Sequence, residues 1–250
     1  MFPGKIALVS QSITSFKNNK SLTLDGTDDY ADMGNLDIVG GADGEGPYSV
    51  SAWFKTSTTG SDMHVVGKGN TPRWTMEIKS SDGHKMHFEH IIDASNKVLA
   101  KSNGNLADGN WHHCLVTADR EGSLIMYIDG AANTDTASPS LDTENLQADI
   151  NQDSGSYPLV VGRYSKQASK FWNGQIDEVA IWDAVLSAAD ASAIYNNGSP
   201  NDLTKSASYA TDRTGELVAY WRFEGDYTDS SDNSNTGSAV NEAGFTTDAP

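Results

Sequence analysis

A single cysteine, Cys114, excludes any disulfide within the chain. It lies in "WHHCLVTA", which reads as a strand, so it is expected to be a buried small residue and not a reactive thiol. Basic residues are also scarce: 17 Lys and Arg stand against 34 Asp and Glu, for a formal charge of −17. A phosphate backbone or an anionic membrane surface would be repelled, which argues against nucleic acid and lipid partners. Divalent cations fit better, because calcium takes clustered oxygen ligands. No apolar run approaches the ~18 residues of a membrane span. The opening "MFPGKIALVSQSITSFKNNK" lacks the apolar core and small-residue cleavage site of a secretion signal, so no export address is expected. Neither a Gly-x-Ser-x-Gly elbow nor a phosphate-binding glycine loop occurs.

What the chain has in quantity is alternation. "YSVSAWFK" (48–55) sets Tyr48, Val50, Ala52 and Phe54 on one face. "SLIMYID" (123–129), "WHHCLVTA" (111–118), "KMHFEHII" (85–92), "PLVVGRY" (158–164) and "LVAYWRF" (217–223) read as strands in the same way. Asp25-Gly26, Asp82-Gly83, Asp108-Gly109, Glu121-Gly122 and Asp129-Gly130 supply turns between them. The 23 glycines are scattered, which suits many tight turns. This pattern predicts an all-β fold, a β-sandwich or jelly roll. One short helix is expected near 187–197, capped by Ser187 with Asp190 answering it, and ended by Gly198. Residues 131–157 and 199–216 read as polar loops.

The first 24 residues hold Lys5, Lys17 and Lys20 and no acid. With Ile6, Leu8 and Val9 they suggest a basic arm, residues 1–20, that docks on a partner; the other reading is a terminus without fixed structure. Residues 216–250 are too few for a core of their own and are expected to complete one domain spanning 21–250.

Four stretches, "SLTLDGTDDYADMG", "YSVSAWFKT", "GNWHHCLVTADREGSLIMYIDG" and "NGQIDEVAIWDAVLSAADASAIYNNG", together resemble a laminin-G-like domain of the concanavalin A-like lectin/glucanase superfamily. Order and spacing match over about 21–198. The resemblance implies an antiparallel two-sheet jelly-roll sandwich, often with one structural calcium. "IYNNGSPNDLT" followed by "LVAYWRFEGDYTDSS" is similar to laminin-G-like proteins of marine bacteriophages. That implies a non-enzymatic virion component assembled in the host cytoplasm: a decoration, head-fibre or tail-appendage protein touching capsid or tail proteins, with homo-oligomers expected. The alternatives are a secreted glycan-binding module meeting host-surface glycans and, third, a glycoside hydrolase.

Asp177 and Glu178 interrupt an apolar run. On a regular strand they face opposite sides, Asp177 with Val179 and Glu178 with Ile176. An inward acid needs a partner, and a metal is one. The family resemblance places calcium ligands on this Asp and on the loop after "YWRF", here Asp226, Asp229 and Asn233. The other reading is a carboxylate capping backbone N–H groups, with Glu178 in solvent. "DGTDDY" (25–30) is a second candidate cation loop, with an acidic turn as the preferred reading. The run Glu224-Gly225-Asp226-Tyr227-Thr228-Asp229 approximates the carboxylate strand of glucanases but enters a loop, which loses the shared face that hydrolysis needs. His84, His87 and His90 alternate on a strand and form no three-ligand zinc site. Of the tryptophans, Trp74 and Trp172, beside turn-like residues, are the candidates for an exposed sugar platform; the other reading of both is burial between the sheets.

Overall fold

The structure, a computed structural model, describes residues 16–36, 46–93, 97–119, 123–134 and 157–250. The expectations about Lys5, the Glu121-Gly122 turn and most of the 131–157 loop fall outside these residues.

Fifteen strands are found among the described residues. In chain order they are β1 (Ser21–Asp25), β2 (Tyr30–Asp32), β3 (Tyr48–Lys55), β4 (Met63–Gly69), β5 (Arg73–Lys79), β6 (Lys85–Ile91), β7 (Lys97–Lys101) and β8 (Trp111–Asp119). Then follow β9 (Ser123–Ile128), β10 (Ala131–Ala132), β11 (Val160–Val161), β12 (Asn173–Trp182), β13 (Leu217–Trp221), β14 (Ser238–Val240) and β15 (Gly244–Thr246). One sheet of eight strands runs β10-β9-β8-β3-β12-β1-β15, with β13 also paired to β12. The other, of seven, runs β14-β2-β11-β4-β5-β6-β7. Every pairing is antiparallel.

Alternation decides which side chains fill the space between the sheets. Val50, Ala52 and Phe54 of β3 meet Trp74, Met76 and Ile78 of β5 and Met86 and Phe88 of β6 in one buried cluster. The outer face of the eight-stranded sheet is covered by a second apolar layer. There Leu115, Tyr127, Trp182 and Tyr220 pack under Leu186, Ala191 and Ile194 and under Leu203 and Tyr209 of the following segment. Helix α1 (Ala188–Tyr195) supplies part of that cover. Ser187 and Asp190 cap it reciprocally, which satisfies two of the N–H groups a helix start leaves open. At eight residues it is too short to hold together alone, so its stability comes from this packing.

"PLVVGRY" contributes only Val160–Val161 as strand. The C-terminal residues enter both sheets: β13 pairs β12, β14 pairs β2 and β15 pairs β1. Lys17 and Lys20 are exposed, but their backbone is held by the chain's own sandwich and not presented as a loose arm. Glu224 accepts from the N–H groups of Asn19 (2.8 Å) and Lys20 (3.1 Å), and Arg222 donates to the Lys17 carbonyl.

Candidate functional site

The acid pair lies where β12 changes neighbours. Its first half pairs β1 and its second half pairs β13. Register slips between Asp177 and Ala180 against β3, and Glu178 takes a φ of 48°, so a bulge sits at the fork. The extra residue breaks strict alternation. Ile176 and Val179 both point to the core, and both acids fall on the outer side. This corrects the expectation that Asp177 and Glu178 face opposite ways and that Glu178 meets solvent: Glu178 is 2% exposed and Asp177 fully buried. Tyr220 donates its hydroxyl to Glu178, and Arg222 Nε lies 3.3 Å from the other oxygen. Asn18 Nδ2 donates to Asp177 Oδ2 at 3.0 Å, while Asp177 Oδ1 has no partner. Burial raises both carboxyls well above the usual range, and each acid's nearby carboxylates push in the same direction.

Asp177, Asp226, Asp229 and Asn233 do not form one site. Asp229 lies along β13 on the edge away from β12, so a strand separates it from Asp177. Its carboxylate is taken by the N–H groups of Tyr220, Ser231 and Asn235 and by the Ser231 hydroxyl. Asn233 donates to the carbonyls of Leu217 and Val218, level with Trp182. Five residues of strand, roughly 16 Å, lie between that level and Asp177. Asp226 accepts the Thr228 N–H in an exposed turn. These side chains order a loop that seals the β13 edge, so they are poor candidates for a shared ion. Among the described residues, the one group of three carboxylates whose oxygens lie within 4.8 Å of one another is Asp25, Asp28 and Asp29, in "DGTDDY". Asp29 is buried and accepts the Glu242 N–H; Asp25 accepts the Thr27 N–H.

Trp74 and Trp172 are not platforms. Trp74 is 1% exposed and stacks on Phe88, ring centroids 5.9 Å apart; Trp172 is fully buried, edge-on to Phe54. Parity explains Trp74: β5 begins at Arg73, so the next side chain already points inward. The histidines do not converge. His84 contacts the Thr59 carbonyl, His87 contacts Asp82, and His90 reaches the Tyr48 hydroxyl.

A site that composition and motif did not show lies on the outer face of the seven-stranded sheet. Arg73, Thr75, Glu77 and Lys79 are the outward residues of β5, and Lys85, His87, Glu89 and Ile91 those of the paired β6. Thr75, Glu77 and His64 are buried and form a floor, while Arg73, Lys79, Lys170, Asp62, Glu89 and Tyr164 stand half-buried around it. Glu77 is the hub: His64 Nε2 lies 2.8 Å away, Lys79 Nζ 2.9 Å and Lys170 Nζ 3.1 Å. Asp62 pairs Lys79 at 3.2 Å, and Glu89 pairs Arg73 at 3.5 Å. Burial alone would raise Glu77, but the His64 contact and the two ammonium groups outweigh it and hold the carboxyl far below its ordinary value. His64 is pushed down by its burial and stays neutral near pH 7. Tyr164 is the aromatic of this face. Its ring lies 5.0 Å from the His64 ring, with the Arg73 guanidinium and the Lys170 ammonium each 5.6 Å from its centroid. Arg73 continues into a hollow of about 330 Å³ that it lines with Thr71, Ile91, Asp93 and Lys97. Thr75 Oγ1, His64 Nδ1 and Arg73 Nε have no hydrogen-bond partner. The face thus combines one aromatic ring, planar polar groups fixed by ion pairs, and a hollow that opens beside Arg73.

Comparison with known proteins agrees with this architecture. No curated protein matches the chain. A structure of a proposed carbohydrate binding protein from Bacteroides ovatus superposes with a TM-score of 0.62 at 14% identity, over 94% of this chain and 62% of that one. This chain therefore spans less than two thirds of that protein's length. The sialidase module CBM40 of Ruminococcus gnavus superposes with a TM-score of 0.54 at 14% identity, over 70% of this chain and 97% of that one. The same module is also known bound to α2,3-sialyllactose, again with a TM-score of 0.54. A laminin-G family model, described as concanavalin A-like lectin/glucanases superfamily, matches residues 25–192, and the chain belongs to that family.

Proposed function

We propose that this chain is a non-catalytic binding module that holds a glycan on the outer face of its seven-stranded sheet. The observation that carries the reading is the Tyr164–Arg73–Glu89 patch beside the hollow that Arg73 lines: an aromatic ring next to fixed, planar hydrogen-bonding groups suits a sugar, whose faces stack while its hydroxyls bridge polar pairs. The carbohydrate-binding character of the two similar structures supports it.

Hydrolysis is disfavoured by the electrostatics of the same face. A glycosidase needs one carboxyl kept protonated. Glu77 is shifted down by its His64 contact and then by Lys79 and Lys170, and Asp62 by Lys79 and Ser80. The setting proposed is the surface of a phage particle, supported by the resemblance of "IYNNGSPNDLT" and "LVAYWRFEGDYTDSS" to phage proteins; a secreted module is the second setting. Among the described residues, the Asp25–Asp29 turn is where carboxylates could meet a calcium ion.

The test is a glycan array probed with the intact chain and with Tyr164→Ala. Wild type should bind a restricted set of glycans and the variant should lose about ten-fold in affinity, the scale of a stacked aromatic anchor. Equal binding by both proteins would place the site elsewhere.

A further inference from the structure

We infer that the cleft selects neutral oligosaccharides and rejects acidic ones, and that Glu77 and Glu89 set this preference. The inference rests on the glycan-binding reading above and narrows it to a ligand class.

The argument is one of matched charge. Three cations stand around the Thr75–Glu77–His64 floor, Arg73, Lys79 and Lys170, and each is already engaged; the adjoining hollow adds one charge of each sign, Lys97 and Asp93. Arg73 pairs Glu89, Lys79 pairs Glu77 and Asp62, and Lys170 pairs Glu77 with Asp62 at 3.8 Å. Three carboxylates thus balance three cations, and His64 adds no charge near pH 7 because its burial disfavours protonation. A carboxylate or sulfate on the ligand would have to displace Glu77 or Glu89 from its partner. Displacing Glu77 would strand a buried charge, which costs several kcal/mol. The surroundings add to this. The whole chain carries −17, so an anionic glycan also meets an unfavourable long-range field. A neutral sugar meets no such opposition. Its hydroxyls can bridge the half-buried charge pairs, Arg73 with Glu89 and Lys79 with Asp62, without breaking them. Neutral selectivity is the opposite of what a module that holds sialyllactose requires, although the two share a fold.

The experiment is calorimetric titration and array binding of the full chain with neutral oligosaccharides and with sialylated, uronate-bearing and sulfated ones. Glu89→Gln and Glu77→Gln are measured in parallel. Wild type should bind members of the neutral set and at least ten-fold more weakly their acidic counterparts. Glu89→Gln frees the Arg73 guanidinium at a half-exposed position, and should raise affinity for acidic glycans about ten-fold, in a salt-sensitive way, the scale of one charge-assisted contact. Glu77→Gln should act in the same direction; if it fails to fold, Glu89→Gln alone decides. Wild-type preference for acidic glycans would overturn the selectivity while leaving the glycan-binding function standing. Neutral binding with no change of preference in either variant would remove Glu77 and Glu89 from the account. Binding of no glycan at all would defeat the underlying reading.

Discussion

Asp177 and Glu178 show how one residue's register redirects chemistry. A strand without a bulge would have exposed one acid. The bulge instead brings both under the outer layer, where Tyr220, Arg222 and Asn18 hold them. Two adjacent buried carboxyls with raised pKa values favour retention of a proton in the folded state. Between the ordinary carboxylate value and the raised one the folded chain binds more protons than the unfolded chain, so stability falls as pH rises through that window. Glu77 has the opposite sign. Its contribution is present above the unfolded value near 4.5 and is lost as pH falls toward the depressed folded value. Denaturant unfolding followed across pH should therefore show loss at the acid end from Glu77 and a second decline, from the pair, as pH rises above the ordinary carboxylate range. Asp177→Asn, which keeps the shape and removes one charge, should flatten that second decline and spare the acid one. An unchanged second decline would mean that the pair is already ionised and compensated.

At the scale of elements, the loop after β13 is a lid on a sheet edge. Asp229 and Asn233 bind backbone groups of β13 that no neighbouring strand reaches. Asp229→Ala leaves the Tyr220, Ser231 and Asn235 N–H groups without their acceptor and should cost about 2–3 kcal/mol. The decisive comparison is Tm with calcium and with chelator. The Asp229→Ala loss should be the same in both, whereas any rise in Tm that calcium gives wild type should vanish in Asp28→Asn and survive in Asp229→Ala. A calcium-dependent loss at Asp229 would restore that residue as a ligand. This loop also marks a boundary of sequence reading. "EGDYTDSSDNSNTG" is dense in oxygen donors whether they face an ion or a backbone, and only the pairing of Trp221 with Asp229 distinguishes the two.

The sandwich was legible in the whole chain because alternation and Gly-containing turns are local. "YSVSAWFK" and "KMHFEHII" place the same side chains inward in the fold as in the pattern, and Ser187 with Asp190 starts the helix as read. The candidate site was not legible. Arg73, Thr75 and Glu77 look like ordinary outward residues of a strand. Glu89 belongs to a second strand, and Tyr164 and Lys170 arrive from a connection about ninety residues later in the chain. Their meeting depends on β11 and β4 lying side by side, a long-range pairing that no short window reports. The tryptophans misled for a related reason: nearness to a turn is weaker evidence than strand parity, and Trp74 already obeys parity at the second residue of β5.

The binding face is the claim on which the functional account stands. Backbone chemical-shift mapping of the full chain titrated with the tightest oligosaccharide from the array tests it most directly. The account predicts perturbations concentrated at residues 73–79 and 87–91 and at Tyr164 and Lys170, with the Asp25–Asp29 turn unaffected. Perturbations gathered instead at that turn, or in the polar hollow bounded by Thr204, Thr214 and Asn233, would contradict it.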